Sequence, residues 1–292
     1  MADAVERPGG SEGDLKPLND LASSSPSGRS LRAAVVTALV LVGILALCAY
    51  IGTGAFFVLV CAVVLLALFE LYDALHQTGH RPVILFGLLG GLALLIVAFV
   101  ERPQLYAVVL VVTMVGAFLL ALRPTRGSTP SSDVAWLVLG VAWIGGGGAG
   151  ATSILTAREG IALLIAFVFT AALDDITAYF VGGRFGRHKL APSISPAKSW
   201  EGFFGGMAGA LAGGAALGSI VGALGPVNGL LMGAIVSLTA PAGDLIESMA
   251  KREIGIKDSG RLLPGHGGFL DRLDAIIFSA PVVYVFMYFV VL

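Results

Sequence analysis

The fold class is decided by two continuously apolar runs, AAVVTALVLVGILALCAYI at residues 33–51 and AFFVLVCAVVLLAL at residues 55–68. Neither run alternates apolar with polar residues, as the strands of a membrane β-barrel do. Both suit helices that cross a hydrocarbon layer about 30 Å thick. Because only helices and closed barrels satisfy their backbone polar groups in lipid, the runs predict an all-α, polytopic integral membrane protein.

The composition of the whole chain agrees with this prediction. Hydrophobic residues make up 57% of the chain and charged residues 13%, and the mean hydropathy is +0.90. Soluble proteins carry about 25% charged residues. Apolar stretches predict nine membrane spans, at residues 31–51, 54–75, 82–100, 104–122, 133–157, 159–181, 202–223, 228–250 and 274–292. The fifth span contains Gly145–Gly148, a run that favours a broken or re-entrant helix.

Basic residues predict which ends of the spans face the cytoplasm. With the N-terminus inside, only Arg102 and Arg158 of the 18 Lys and Arg residues fall outside. This is the bias that the positive-inside rule describes. It places the polar loops 183–201 and 251–273 together in the cytosol and predicts a cytosol-facing active site. The basic residues are spread over several loops rather than clustered on one domain, which argues against nucleic acid as a partner.

We expect three regions along the chain. Residues 1–30 are rich in Gly, Ser, Pro and charge, and they predict a disordered cytoplasmic tail. Residues 31–157 then form the N-terminal membrane helices. Residues 158–292 form a catalytic membrane region that carries both cytosolic loops.

Glycines four residues apart mark the seventh span, as in Gly202 with Gly206 and Gly214 with Gly218. Such a surface lets helix backbones approach closely. It suits either tight packing within one bundle or a homodimer interface, and the sequence leaves both open.

Acidic side chains at the ends of apolar runs are the first candidates for chemistry. Asp174 and Asp175 follow the run IALLIAFVFTAAL, and Asp244 and Glu247 end another apolar run. An acid at mid-membrane costs about 3 kcal/mol, so such acids usually face the bundle interior or a wet cavity. On a helix, Asp244, Glu247 and Ser248 share one face, which suits a divalent ion. The alternative is that these acids lie at the membrane interface or pair with Lys251 or Arg252.

Asp271 and Asp274 repeat the same spacing at the start of the last span. The helix macrodipole stabilises an acid at an N-terminus by about 0.3–1 kcal/mol, which alone would explain Asp274. Asp271 directly follows HGGFL, whose glycines allow backbone N–H groups to approach a phosphate. Acids from separate helix ends suit a hard cation, and Mg2+ is the natural choice when phosphates supply the other ligands. Whether a second cation joins it is left open.

A basic, serine-rich segment follows the sixth span, GGRFGRHKLAPSISPAKSWEG at residues 182–202. Its cations and hydroxyl groups suit a polyphosphate or an anionic lipid head group. Positive-inside bias explains several of these charges by itself. Lys198 is more specific, because Pro196 fixes the turn before it and Trp200 suits a membrane interface.

Two other kinds of site are excluded by motif. The sequence has no GxxxxGK[ST], which excludes a P-loop as the nucleotide site. Its four histidines show no HExxH or comparable spacing, which argues against zinc-dependent hydrolysis.

The segment from Ser248 to Asp274, SMAKREIGIKDSGRLLPGHGGFLDRLD, resembles the signature of the CDP-diacylglycerol synthases, also called phosphatidate cytidylyltransferases. The matching positions are Ser248, Lys251, Arg252, Lys257, Asp258, Pro264, His266, Gly267, Gly268, Asp271, Arg272 and Asp274. The upstream segment from Asp174 to Gly202 is also similar to the family, so the resemblance covers about residues 170–285. Ala250 stands where a larger apolar residue is usual.

The resemblance implies that CTP and phosphatidate give CDP-diacylglycerol and pyrophosphate at a bacterial plasma membrane. A lipid phosphate oxygen attacks the α-phosphorus of CTP in line, and pyrophosphate leaves. The implied Mg2+ ligands are Asp271 and Asp244, with Asp175, Asp174 and Asp274 in support. The implied catalytic residues are Asp271, Asp244, Lys257 and Lys198. The implied substrate contacts are Ser195, Ser199, Ser248, Lys251, Arg252, His266, Gly267, Gly268 and Arg272.

Two other functions are alternatives. A CTP-dependent kinase acting on a polyprenol or phytol would also need a membrane site and a cytosolic nucleotide. A secondary transporter would explain intramembrane acids and broken helices. The transporter alternative predicts a two-fold internal repeat, and the first half of the sequence contains no counterpart of the acidic and glycine motifs in the second.

Overall fold

The structure, a computed structural model, describes residues 42–122, 130–256, 259–260 and 268–292. The predicted tail at residues 1–30 and the predicted site residues Lys257, His266 and Gly267 lie outside these ranges. Residues Ile44–Leu292 form one compact unit.

Helices account for most of the described chain. They are α1 (Val42–Ile51), α2 (Thr53–Gln77), α3 (Ile84–Phe99), α4 (Tyr106–Ala121), α5 (Pro130–Gly140), α6 (Gly146–Leu155), α7 (Gly160–Phe185), α8 (Trp200–Ile220), α9 (Pro226–Glu253) and α10 (Asp274–Val290). Short 3-10 turns precede α4, at Pro103–Leu105, and α10, at Leu270–Arg272.

The helices confirm a polytopic integral membrane protein. Six of the described helical segments are long and apolar enough to cross a membrane: α2, Pro103–Ala121, Pro130–Leu155, α7, α8 and α9. The apolar helices α1, α3 and α10 are shorter in the described residues. Eight of the nine helical segments coincide with a predicted span to within a few residues, and α1 covers the described part of the span predicted at 31–51. Nine membrane crossings stay a prediction.

Breaks between helices follow from a few special residues. Gly52, between α1 and α2, has a φ of 118°, and Gly225, before α9, has a φ of 73°, conformations that residues with a side chain rarely adopt. Pro226 then begins α9, where its missing N–H group costs nothing. These residues end one helix and set the direction of the next.

The prediction of a broken or re-entrant fifth span is wrong. A π-helical turn at Val141–Gly145 joins α5 to α6, and helix continues from Pro130 to Leu155. Gly147 of this run serves packing instead: a Cβ added there would lie 2.9 Å from the backbone carbonyl carbon of Ile277 in α10. The lack of a side chain therefore lets α6 pack closely against α10. The π-helical turn changes the helical pitch between α5 and α6 without breaking the helix.

The glycines of α8 pack against neighbours in the same chain. A Cβ added at Gly202 would lie 3.2 Å from Gly182 Cα in α7, and one at Gly229 of α9 would lie 2.9 Å from Gly218 Cα in α8. These contacts match the tight-packing alternative, since the small residues bring α7, α8 and α9 together. A homodimer stays a prediction.

Within the described residues, a two-stranded hairpin between α7 and α8 is the exception to the all-α prediction. Strands β1 (Lys189–Ala191) and β2 (Ser195–Ser199) are antiparallel, with Lys189 opposite Ser199 and Ala191 opposite Ser195. A turn closes the hairpin, because the Ile194 N–H group donates to the Ala191 carbonyl at 3.2 Å. Short strands between polar turn residues lack the long apolar pattern by which the other elements were predicted.

We expect Gly233→Ala to destabilise the protein. A Cβ at this position in α9 would overlap the backbone carbonyl of Ala210 in α8, whose carbon lies 2.8 Å away. Such overpacking lowers the free energy of unfolding by about 1–3 kcal/mol. Denaturant unfolding in detergent micelles measures the change.

Gly146→Ala is the matched control for that variant. Gly146 also lies in a helix, but a Cβ there meets nothing within 4 Å. Helix propensity favours alanine over glycine by up to about 1 kcal/mol, so this variant should be at least as stable as the wild type. Equal unfolding midpoints for both variants would contradict the close packing of α8 on α9.

Candidate active site

Acidic residues from three helices lie near one another at one end of the bundle. Asp174 and Asp175 lie just past the middle of α7, Asp244 in α9 and Asp274 at the start of α10. Asp175, Asp244 and Asp274 are within electrostatic range of one another. The structure thus brings together acids from separate apolar runs, as the sequence predicts.

The two neighbouring acids of α7 have different surroundings. Asp174 is buried, and its Oδ1 has no hydrogen-bond partner among the described residues. Gly206 of α8 makes room for it, since a Cβ there would lie 2.9 Å from that oxygen. Asp175 is exposed. A buried, unpartnered carboxylate oxygen beside an exposed acid leaves acceptor capacity for a cation.

Asp274 is buried and begins α10. Its Oδ1 accepts a hydrogen bond from the Ala275 N–H group at 2.7 Å. Asp274 thus lies in the first turn of α10, where the macrodipole favours an acid, and its role as a metal ligand stays a prediction.

Lys198 links the hairpin to this acidic cluster. Its Nζ forms an ion pair with Asp244 Oδ2, and it lies within electrostatic range of Asp174 and Asp175. The next residue, Ser199, caps α8 by accepting a hydrogen bond from the Gly202 N–H group at 3.2 Å. Because Ser199 ends β2 and begins α8, the cap fixes the position from which Lys198 extends.

Glu201, in the first turn of α8, holds the two residues that precede β1. Its carboxylate accepts hydrogen bonds from the N–H groups of Arg187 at 3.1 Å and His188 at 3.2 Å, and its Oε1 lies 2.6 Å from His188 Nδ1. Sequence reasoning missed this role. The available signal was a serine followed closely by an acid just before an apolar run, a pattern that marks the start of a helix.

A second charged cluster surrounds Lys251 of α9. Lys251 Nζ lies 2.9 Å from Glu247 Oε1 and 2.7 Å from Asp271 Oδ1. This contact confirms the alternative expectation that Glu247 pairs with a basic residue of its own helix. The second oxygen of Asp271, Oδ2, accepts a hydrogen bond from the Gly268 N–H group at 2.9 Å. Glu247 also lies within electrostatic range of Asp274, so the two clusters adjoin.

The Asp271 carboxylate is held in its charged form. Burial acts to raise the pKa of Asp271, but Lys251 and the Gly268 N–H group help to hold that pKa below its ordinary value. A carboxylate that stays ionised is available to a cation or to a positively charged substrate group at neutral pH.

The other predicted site residues occupy separate positions around the clusters. Ser248 donates to Asp244 Oδ1 at 3.4 Å, so the predicted shared face of α9 is present. Ser195 is half-buried in β2, and Arg252 is exposed at the end of α9. Arg272 lies within electrostatic range of Asp175. These positions are compatible with substrate contact, and their roles stay predictions.

Glu70 of α2 is a buried acid beside the site that sequence reasoning missed. Its Oε2 accepts hydrogen bonds from the Leu270 N–H group at 2.7 Å and from the Ser259 hydroxyl at 3.3 Å. The available signal was an acid inside a run otherwise predicted to span the membrane, a position at which acids need a partner.

The donor chemistry fits Mg2+. Within the described ranges, no three His, Cys, Asp or Glu side chains converge closely enough to hold a metal ion by themselves. Mg2+ bound together with phosphates needs only one or two carboxylates, with phosphate oxygens and waters completing its shell. The unpartnered Asp174 oxygen and the adjoining carboxylates of Asp175 and Asp244 supply hard oxygen donors of that kind.

Comparison with known proteins gives one family. A model of the cytidylyltransferase family matches residues 32–290. A phosphatidate cytidylyltransferase of Mycobacterium bovis is 33% identical over 270 residues, covering 88% of each chain. One of Pseudomonas aeruginosa is 41% identical over 268 residues, covering 86% of this chain and 95% of that protein. One of Aquifex aeolicus is 42% identical over 124 residues, covering 42% of this chain and 46% of that protein.

We expect Lys251→Met to destabilise the folded protein. The substitution leaves the carboxylates of Glu247 and Asp271 close together without their shared cation. Breaking a buried pair in this way costs about 3 kcal/mol, the lower end of the usual range because Lys251 is only half-buried. The unfolding free energy in detergent micelles measures the loss.

Two further variants control for that result. Arg252→Met alters the next, exposed cation and should change stability by less than about 0.5 kcal/mol. Adding Glu247→Gln to Lys251→Met removes one of the uncompensated charges and should recover part of the loss. Equal stability of Lys251→Met and Arg252→Met would show that Lys251 does not bridge the two acids.

Proposed function

The chain belongs to the cytidylyltransferase family, and on that premise we propose that it transfers CMP from CTP to phosphatidate, giving CDP-diacylglycerol and pyrophosphate. The family match across residues 32–290 is the observation that carries this proposal. Two relatives with the phosphatidate cytidylyltransferase name align over most of the chain. The adjoining acidic and basic side chains at one end of the bundle supply a site for such chemistry.

The reaction requires positioning and charge neutralisation more than a strong base. A phosphate oxygen of phosphatidate, already anionic at neutral pH, forms a bond to the α-phosphorus of CTP. The bond between that phosphorus and the bridging oxygen breaks, and pyrophosphate carries the electron pair away. Groups that orient the two phosphates and offset their mutual repulsion therefore account for catalysis.

The carboxylates of Asp244 and Asp271 are the proposed principal Mg2+ ligands, supported by Asp174, Asp175 and Asp274. When bound, the ion would neutralise negative charge on the phosphates of CTP. In the structure, Asp244 forms an ion pair with Lys198 and Asp271 forms one with Lys251, so both carboxylates lie beside a positive charge.

Lys198 and Lys251 are the proposed contacts to substrate phosphates. Each ammonium group is held by acids, Lys198 by Asp244 and Lys251 by Glu247 and Asp271. A lysine fixed at a carboxylate is pre-oriented for an anion, so less side-chain entropy is lost on binding. The proposed contacts from Lys257, Arg252, Arg272, His266, Gly267, Gly268, Ser195, Ser199 and Ser248 complete the site.

The proposed location is a bacterial plasma membrane with the site open to the cytosol. A phosphate-bearing lipid reaches the site from the bilayer, while CTP arrives from water. The distribution of basic residues supports this orientation, because the loops 183–201 and 251–273 carry much of the positive charge. A second copy of the chain is a proposed partner.

Incubating the purified protein with phosphatidate, Mg2+ and CTP labelled at the α-phosphorus tests the reaction. The expected result is label in a lipid that co-migrates with CDP-diacylglycerol, with release of pyrophosphate. A kinase acting on polyprenol or phytol would leave the label in CDP, and a transporter would leave CTP intact. Either of those results would overturn the proposal.

We expect Asp271→Asn to lower kcat about 100-fold, because removing one charge-stabilising group commonly costs that much. The assay is CDP-diacylglycerol formation per folded protein across a Mg2+ titration. Glu253→Gln is the control, since Glu253 is an exposed acid at the end of α9. Near-normal turnover of Asp271→Asn with unchanged Mg2+ dependence would remove Asp271 from the proposed site.

A further inference from the structure

The buried carboxylate of Glu70 holds the turn that precedes α10. Glu70 is 2% exposed, and its Oε2 accepts the Leu270 N–H group at 2.7 Å across a sequence separation of 200 residues. The same oxygen accepts the hydroxyl of Ser259 at 3.3 Å. A buried hydrogen bond between distant segments is costly to break, because the freed N–H group would be left unsatisfied, so this contact constrains the turn.

Two glycines allow the backbone to close around this carboxylate. A Cβ added at Gly260 would overlap the Glu70 carboxyl group, whose Cδ lies 2.6 Å from that position. A Cβ added at Gly268 would lie 3.0 Å from both Asp271 Oδ2 and Gly260 N. The segments on either side of residues 261–267 therefore meet at Glu70, directly beside Asp271.

Apolar packing alone does not fix the orientation of this turn. The Leu270 side chain belongs to a buried cluster with Leu71 and Ala74 of α2, which fixes its distance from that helix. Non-directional packing leaves the turn free to rotate about the contact. The hydrogen bond from the Leu270 N–H group to Glu70 restricts this rotation, together with the ion pair between Lys251 and Asp271, the next residue.

We propose that Glu70 is a positioning residue for the transfer reaction: through Leu270 and Ser259 it orients the turn from which Asp271 acts. This inference rests on the proposed function of Asp271. Glu70 itself contacts neither substrate nor metal in this scheme. An acid within an apolar helix is costly, which is the reason to expect such a role rather than an incidental contact.

Amide hydrogen exchange tests the contact without relying on activity. In Glu70→Ala, peptides covering residues 268–273 should exchange about tenfold faster than in the wild type, because the Leu270 N–H group loses its acceptor. Glu70→Gln keeps an acceptor oxygen and should show a smaller increase. Asp73→Asn is the matched control, since Asp73 lies one turn further along α2 and accepts a hydrogen bond from Gln77 at 2.8 Å instead. Unchanged exchange at residues 268–273 in Glu70→Ala would overturn the inference.

Kinetics separate positioning from a merely structural role. Per folded protein, Glu70→Ala should lower kcat about 10–100-fold and raise the Mg2+ concentration for half-maximal activity, as loss of supporting groups around metal sites does. The KM for phosphatidate should stay within about twofold. Glu70→Gln should restore part of kcat, and Ser259→Ala should cause a smaller loss than Glu70→Ala. A lower unfolding temperature with normal kcat and Mg2+ dependence would assign Glu70 to stability alone.

The two proposals fail in different ways. If the wild-type protein produces no CDP-diacylglycerol, the proposed function is wrong, and the exchange experiment still decides whether Glu70 holds the turn. If the wild type is active and Glu70→Ala matches Asp73→Asn in both experiments, the inference on Glu70 alone is wrong.

Discussion

Carboxylates inside an apolar bundle must be compensated, and this requirement determines how the site is built. Asp244 is compensated by Lys198 from the hairpin, and Lys251 serves two acids at once. Glu70 is compensated differently, by the backbone N–H group of Leu270 and a serine hydroxyl. Lys198, Lys251 and Glu70 each connect two structural elements through these contacts. The charges that the proposed chemistry requires therefore also hold the helix ends and loops in place.

Close helix packing is the condition under which these charges can meet. Side chains as short as aspartate reach one another only when their helices approach closely, and small residues provide that approach. Gly202 lies against α7, Gly229 lies against α8, and Gly206 leaves space beside Asp174. The glycines of α8 thus contribute to the site indirectly, by setting the distance between the helices that carry its acids.

The helices and the grouping of acids could be predicted because both follow from local sequence. Long apolar runs define helices, and charges at their ends are costly unless they converge. The Gly145–Gly148 run was misinterpreted because glycine has two roles that sequence alone does not separate, breaking a helix and admitting a neighbouring one. Here the neighbour, α10, lies more than a hundred residues later. The ion pair between Lys198 and Asp244 was equally hidden, because it depends on the orientation of a hairpin that lacks a long apolar pattern.

Glu70 shows why the N-terminal half of the chain belongs to the site. The resemblance in sequence motifs is concentrated in residues 170–285, whereas the family match extends over residues 32–290. The predicted boundary after residue 157 separates the reactive side chains from the rest of the sequence, but contacts cross it. α6 packs on α10 through its glycines, and α2 holds the turn at Leu270 through a buried carboxylate. Since Asp271 and Asp274 both lie at that junction, α2 and α6 fix the start of α10 relative to the acids on α7 and α9. A bundle limited to the later helices would contain most of the proposed reactive groups but lack two of the contacts that orient them.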